Sequence, residues 1–346
     1  MNEIDLLLVL GMLLVVPMGL SMITWTDPQA ERLRSLAYKA VPFVAVLGSL
    51  SVVPRDAAYQ DSIGGVLSGL WLALCLMVGI SAVAEVSKAR PPRFEGYLPI
   101  AACLFLVVGA AWLVLFRAGV RPMDLPIEIV ELTAVHFHFA GFAAPILAAQ
   151  AARWLRALPG RWDRLAAYAG GGVVLAMVLV AAGISGSPLL EVEGAILMAL
   201  SLIALAAGTT LIAWRLPPAA RVLLIVSSAA VWISMVLAVQ YAVGQYLVVG
   251  GLSVRDMART HGVLNVVFTV FGLAGWKVAG KKVTLRERAA TAEAPPEAVE
   301  PVPAAEEPAP EPVKTPDTPA TPEPVAPVET PDPAEPVRPA EPGSTA

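Results

Sequence analysis

Long apolar stretches separated by short polar segments fill most of the chain, near residues 4–25, 37–53, 63–86, 97–116, 129–152, 165–184, 189–213, 221–243 and 259–280. A helix needs about 20 residues to cross the hydrocarbon of a bilayer, because every backbone polar group must be satisfied within the segment. The pattern therefore predicts an all-α polytopic transmembrane bundle of about nine helices. The second stretch is the shortest of them.

The basic residues test this count, since Lys and Arg concentrate in cytoplasmic loops. Alternate loops carry Arg32, Arg34 and Lys39; Lys88, Arg90 and Arg93; Arg153, Arg156, Arg161 and Arg164; Arg215 and Arg221; then Lys277, Lys281, Lys282, Arg286 and Arg288. The opposite side has only Arg55, Arg117, Arg121, Arg255 and Arg259. A split of 17 to 5 places the N-terminus outside and the C-terminus in the cytoplasm, and removing any one span would destroy the alternation. Trp25, Trp154, Trp162, Trp214 and Trp276 fall near the cytoplasmic boundary, where they read as an interfacial belt with wet N–H groups.

Composition agrees with the pattern: 57% of the 346 residues are hydrophobic and the mean hydropathy is +0.69, too much apolar surface for one soluble core. Membrane lipid is the implied environment, and nothing points to nucleic acid. The net charge of −4 hides two regions, because residues 291–346 hold 12 acidic and 2 basic side chains and the remainder is mildly basic. The division expected is a transmembrane domain over 1–285 and a disordered Pro/Glu/Ala-rich cytoplasmic tail over 286–346, too poor in apolar area to offset its ordering entropy. Such a tail reads as a solvated spacer, with docking to a protein partner as the alternative. Cys75 and Cys103 each stand alone in an apolar run and read as buried reduced thiols. The opening Met-Asn-Glu-Ile-Asp lacks the basic region of a signal peptide, so the first run is expected to stay as an anchor.

All three histidines, His136, His138 and His261, fall inside predicted spans and in the outer third of the membrane. Glu128, Glu131, Glu191, Glu193, Gln240, Gln245 and Asn265 share that depth. Ionisable groups at such positions normally face a bundle interior or a wet cavity, so the clustering predicts one outward-facing polar site. On a regular helix His136 and His138 point about 200° apart, which prevents both from ligating one metal without local unwinding. Glu131 and His138 share a direction, as do His261 and Asn265 at i, i+4. Pro145 removes the bond to the carbonyl of Gly141, so a bend is expected just below the histidine pair, turning one His toward the last helix and the other toward the seventh or eighth.

These residues admit a transition metal or one b-type haem, held by His138 and His261 with His136, Glu131, Glu193 or Asn265 in support, or a proton relay during small-solute transport. Two bis-histidine haems or a di-iron desaturase would need more histidines than the chain has. Other readings are a membrane-embedded metal-dependent hydrolase, with three ligands about 2.0–2.2 Å from one metal, a scaffold working through its tail, or imidazoles that only bond neighbouring helices. Gly183-Ile184-Ser185-Gly186 matches a GxSG protease pattern with His261 as partner, a weak signal in a Gly/Ala-rich chain with Ser185 expected in a turn. Gly170-Gly171-Gly172, within an apolar run, reads as close helix packing. Few ionisable residues beyond Glu85 occupy the inner halves of the helices, which favours a site reached from outside over a path through the membrane.

The run Glu131-Leu-Thr-Ala-Val-His-Phe-His-Phe-Ala-Gly-Phe142, with Thr260-His-Gly-Val-Leu-Asn265 on the last helix, resembles the YndJ-like family of bacterial multi-pass membrane proteins. The resemblance implies a bacterial cell-membrane location and makes the His-Phe-His and Thr-His-Gly segments the family's distinctive features.

Overall fold

The computed structural model describes residues 2–53, 57–91, 93–247, 249 and 251–293. Among them, nine helices are long and apolar enough to span a membrane: α1 Glu3–Leu20, α2 Pro28–Leu50, α3 Ser62–Lys88, α4 Phe94–Arg117, α5 Ile127–Leu155, α6 Trp162–Ile184, α7 Pro188–Ala213, α8 Pro218–Leu247 and α9 Val254–Lys281. All regular secondary structure among the described residues is helical, as the apolar pattern predicts.

Helix α2 starts well before the expected residue 37. Asp27 accepts hydrogen bonds from the backbone N–H groups of Gln29 and Ala30, and Pro28 occupies the first turn, where its missing N–H costs nothing. The polar turns that follow stay helical because their charges are used: Arg34 is buried, pairs with Glu31, and donates to the carbonyl of Leu20 at 3.1 Å. The last helix continues past its apolar span to Glu293, so the expected boundary at 285 lies inside it. Ala, Lys, Arg and Glu are strong helix formers. One compact unit covers Met1–Glu293, and the expected tail from 294 onward lies outside the described residues.

Helix α5 is the centre of the bundle, with 78% of its apolar span buried against 33–56% for the others. It touches α1, α4, α6, α7 and α9. Close approach to α6 is possible because a Cβ on Gly170 would come within 2.8 Å of that of Ala148, and one on Gly172 would overlap the Ser201 hydroxyl on α7. Three helices are locally wound as π-helix: α1 at Gly11–Val15, α5 at Phe137–Ala143 and α9 at Ala258–Gly262. The π-turns of α1 and α5 are in contact, and α9 touches both.

Two of the tryptophans expected in the belt are core residues instead. Trp25 is buried and donates its indole N–H to Ser81 at 3.0 Å, and Trp276 is buried against Trp154 with ring centroids 6.0 Å apart. Proximity to a helix end does not place a ring in the interface when a neighbouring helix covers it. Trp162 and Trp214 are exposed, as a belt requires.

Candidate functional site

The bend expected at Pro145 is absorbed by the π-turn preceding it. Pro145 lies in the first turn of the regular segment Ala144–Leu155, and the wider π-winding above it accommodates the missing donor without breaking the helix. His136 and His138 flank the start of this turn and leave the helix on opposite sides.

His138 is fully buried. Its Nδ1 lies 2.8 Å from the carbonyl of Ala134, which can only accept, so Nδ1 carries the proton. Nε2 then offers a lone pair, which takes the indole N–H of Trp71 on α3 at 3.0 Å. Gly109 of α4 makes room: a Cβ there would stand 2.8 Å from that of Phe137 and 3.0 Å from Nδ1 of His138. The imidazole faces α3, contrary to the expectation of α7 or α8, and both its nitrogens are committed.

His136 turns the other way. Its Nδ1–H donates to the carbonyl of Leu132 at 3.0 Å, and its ring stacks on His261 with centroids 6.3 Å apart and planes 25° apart. His261 donates from Nδ1 to the carbonyl of Ser234 at 2.9 Å, with the Ser234 hydroxyl also 2.9 Å from that nitrogen. The Asn265 amide donates to Nε2 of His261 at 2.9 Å, so the i, i+4 pair shares a face as expected. No hydrogen-bond partner for Nε2 of His136 stands among the described residues.

His136 lines a cavity of about 550 Å³ bounded by α1 and α4–α9, within the size range of small-molecule sites. Its walls are mainly apolar, and its polar groups include His136, Glu191, Tyr241, Gln245, His261 and Asn265. Glu193, offset from Glu191 by about 200° on the helix, is exposed and does not line the cavity. The carboxylate at this site is Glu191.

The residues do not fit the expected metal or haem. Iron needs a free Nε2 on each axial histidine, whereas His138 gives its lone pair to Trp71 and His261 to Asn265. No group of three His, Cys, Asp or Glu side chains among the described residues could hold a metal ion, which removes the geometric basis of a metal-dependent hydrolase. Both cysteines are free and buried, as expected. Ser185 belongs to the helix Trp162–Gly186 rather than a turn, and the hydroxyl meeting His261 is that of fully buried Ser234, closed to any substrate.

Glu131 faces α1 instead of sharing a site with His138. It is buried, its carboxyl meets that of Asp5, and its Oε1 has no hydrogen-bond donor among the described residues. Asp5 is buried too, and Asn2 fixes it through a capping box, accepting from the Asp5 backbone N–H at 2.8 Å while its own N–H donates to Oδ2 at 2.7 Å. Arg117 and Glu128 are the other charges felt by Glu131. Glu85 is consumed structurally: it accepts from the Thr26 and Asp27 backbone N–H groups and from the Thr26 hydroxyl.

Sequence reasoning missed Asp5, Trp71, Ser234 and Tyr241. Asp5 carried a signal, an acid within the first turn of an apolar helix. Trp71 carried another, an indole in the middle of a span and far from either interface.

A bundle with nine membrane-spanning helices among its described residues, holding a largely apolar, histidine-bearing cavity, defines a multi-pass membrane protein. The family model described as "YndJ-like protein" matches residues 6–269, and the chain belongs to that family. A curated relative, "Uncharacterized membrane protein YndJ" from Bacillus subtilis (strain 168), is 24% identical over 246 residues, covering 71% of this chain and 42% of the relative. The chain thus spans less than half the length of that relative. No solved structure matches.

Proposed function

We propose that the protein, in the bacterial cell membrane, binds a small and largely apolar solute in the α5 cavity from the outer side and links its occupancy to one proton held between Asp5 and Glu131. The observation that carries this reading is the two-sided outer half of α5. Glu131, beside Asp5, has a buried carboxylate oxygen without a donor among the described residues, and His136, five residues on, lines the cavity. A proton between two touching carboxyls satisfies the orphan oxygen and removes one of two like charges from a buried place. The two groups lie about 7.5 Å apart along one helix, so a shift of α5 on protonation is felt at the cavity wall. Linkage is reciprocal, and a solute that favours one arrangement of α5 changes proton affinity by the same factor. The charges bearing on the pair are Arg117 and Glu128 beside Glu131, with Glu3 two residues before Asp5 on α1, bonded to Arg259. Glu85, Arg34 and Glu31 at the opposite end are each committed to structural hydrogen bonds or an ion pair, which favours a binding or sensing event at the outer face.

Infrared titration of the protein in lipid nanodiscs tests this. The expected result is a protonated-carboxyl C=O band that titrates in the native chain, is absent from Glu131→Gln, and has a displaced midpoint in Asp5→Asn. A band unchanged in both variants, each confirmed as folded by size exclusion, rejects the proton site.

A further inference from the structure

The polar groups of the cavity favour one kind of occupant. Glu191 supplies a carboxylate, and neither Lys nor Arg occurs among the described residues that line the space. Among the described residues no side chain hydrogen-bonds or pairs with that carboxylate. His136, its Nδ1–H committed to Leu132, adds a lone pair and no donor. Trp112, Phe137 and Phe268 contribute aromatic rings to the wall, and ring faces attract cations.

A carboxylate or phosphate ligand would bring a second negative charge into a largely apolar enclosure without a countercharge, which is costly. An ammonium group meets the opposite situation: a carboxylate of opposite sign, acceptor lone pairs and aromatic rings. We propose that the cavity takes an amphiphilic amine, a compact apolar body bearing one protonated nitrogen countered by Glu191. This rests on the cavity being the solute site and adds the class of solute. It does not depend on the proton pair.

Three probes of one shape separate the possibilities: 1-adamantylamine, 1-adamantanol and 1-adamantanecarboxylate, titrated calorimetrically at neutral pH into nanodiscs holding the full chain, with empty nanodiscs as the partition blank. The amine is expected to bind roughly tenfold or more tighter than the carboxylate, with the alcohol between. In Glu191→Gln the amine weakens roughly tenfold while the alcohol stays within about twofold, which also shows the variant to be folded. Glu193→Gln leaves all three unchanged. Equal or tighter binding of the carboxylate, equal binding of amine and alcohol, or an amine affinity indifferent to Glu191→Gln overturns the amine assignment and leaves the cavity reading standing. Absence of binding by all three overturns both.

Discussion

The indole N–H of Trp71 donates to Nε2 of His138 at 3.0 Å, and that bond decides what His138 can do. With Nδ1–H spent on Ala134, the imidazole is a fully satisfied cross-link between α3 and α5. Trp71→Phe leaves a buried nitrogen unpaired and is expected to destabilise the fold by about 1–3 kcal/mol. The check is a lowered thermal unfolding midpoint in detergent, with binding of the adamantane alcohol retained. Spectra of the purified protein are expected to show no Soret band that His138→Ala removes. Either an unchanged midpoint or such a band would contradict this role.

Glu85 is expected to be the most sensitive carboxylate for folding. Its oxygens hold the turn that feeds α2, and hydrogen bonds to a charged acceptor are each worth about 1.5–3 kcal/mol. Glu85→Ala should lose most folded protein in a detergent-extraction and size-exclusion assay, with Glu85→Gln intermediate because its amide oxygen still accepts.

Gly183 tests how tightly the α6–α7 hairpin sets Glu191. A Cβ at Gly183 would lie 2.3 Å from the Glu191 backbone nitrogen and 2.5 Å from its Cα, and backbone cannot swing aside as a side-chain tip can. Gly183→Ala should cost roughly 1–3 kcal/mol of stability by overpacking and weaken the amine by moving its counterion. Gly65→Ala, with nothing within 4 Å of the added carbon, should leave binding unchanged and raise stability by roughly 0.5–1 kcal/mol, as Gly→Ala inside a helix does.

Asn265→Leu removes the donor to Nε2 of His261 and should cost about 1–3 kcal/mol through the unpaired acceptor. Because His261 supports the ring of His136, the same variant is expected to weaken the alcohol probe as well as the amine, unlike Glu191→Gln, which should act on the amine alone. Calorimetry of both probes distinguishes the two effects.

Topology can be read with thiol labelling. Buried Cys75 and Cys103 should not react with a membrane-impermeant maleimide in the folded protein. A cysteine at Val120, in the loop between α4 and α5, should label on intact cells, and one at Ala157, between α5 and α6, only after lysis. The reverse pattern would invert the orientation drawn from the basic loops.

Hydropathy carried the all-α class and the nine spans among the described residues, because a helix in lipid must satisfy its own backbone and must be long enough to cross, whatever its neighbours are. Depth along the chain likewise brought His136, His261 and Asn265 to one level, and i, i+4 spacing put the last two on one face. Which partner each polar group would meet was not legible. His138 and Glu131 share a depth with the cavity yet face Trp71 and Asp5, and Glu191 rather than Glu193 turns inward. Those outcomes depend on how each helix is rotated about its axis, which is set by close packing at residues such as Gly109 and Gly183 and by the π-turn above Pro145. A rotation of half a turn leaves every hydropathy window unchanged while exchanging the groups that face lipid for those that face the core, so only the assembled bundle could choose between them.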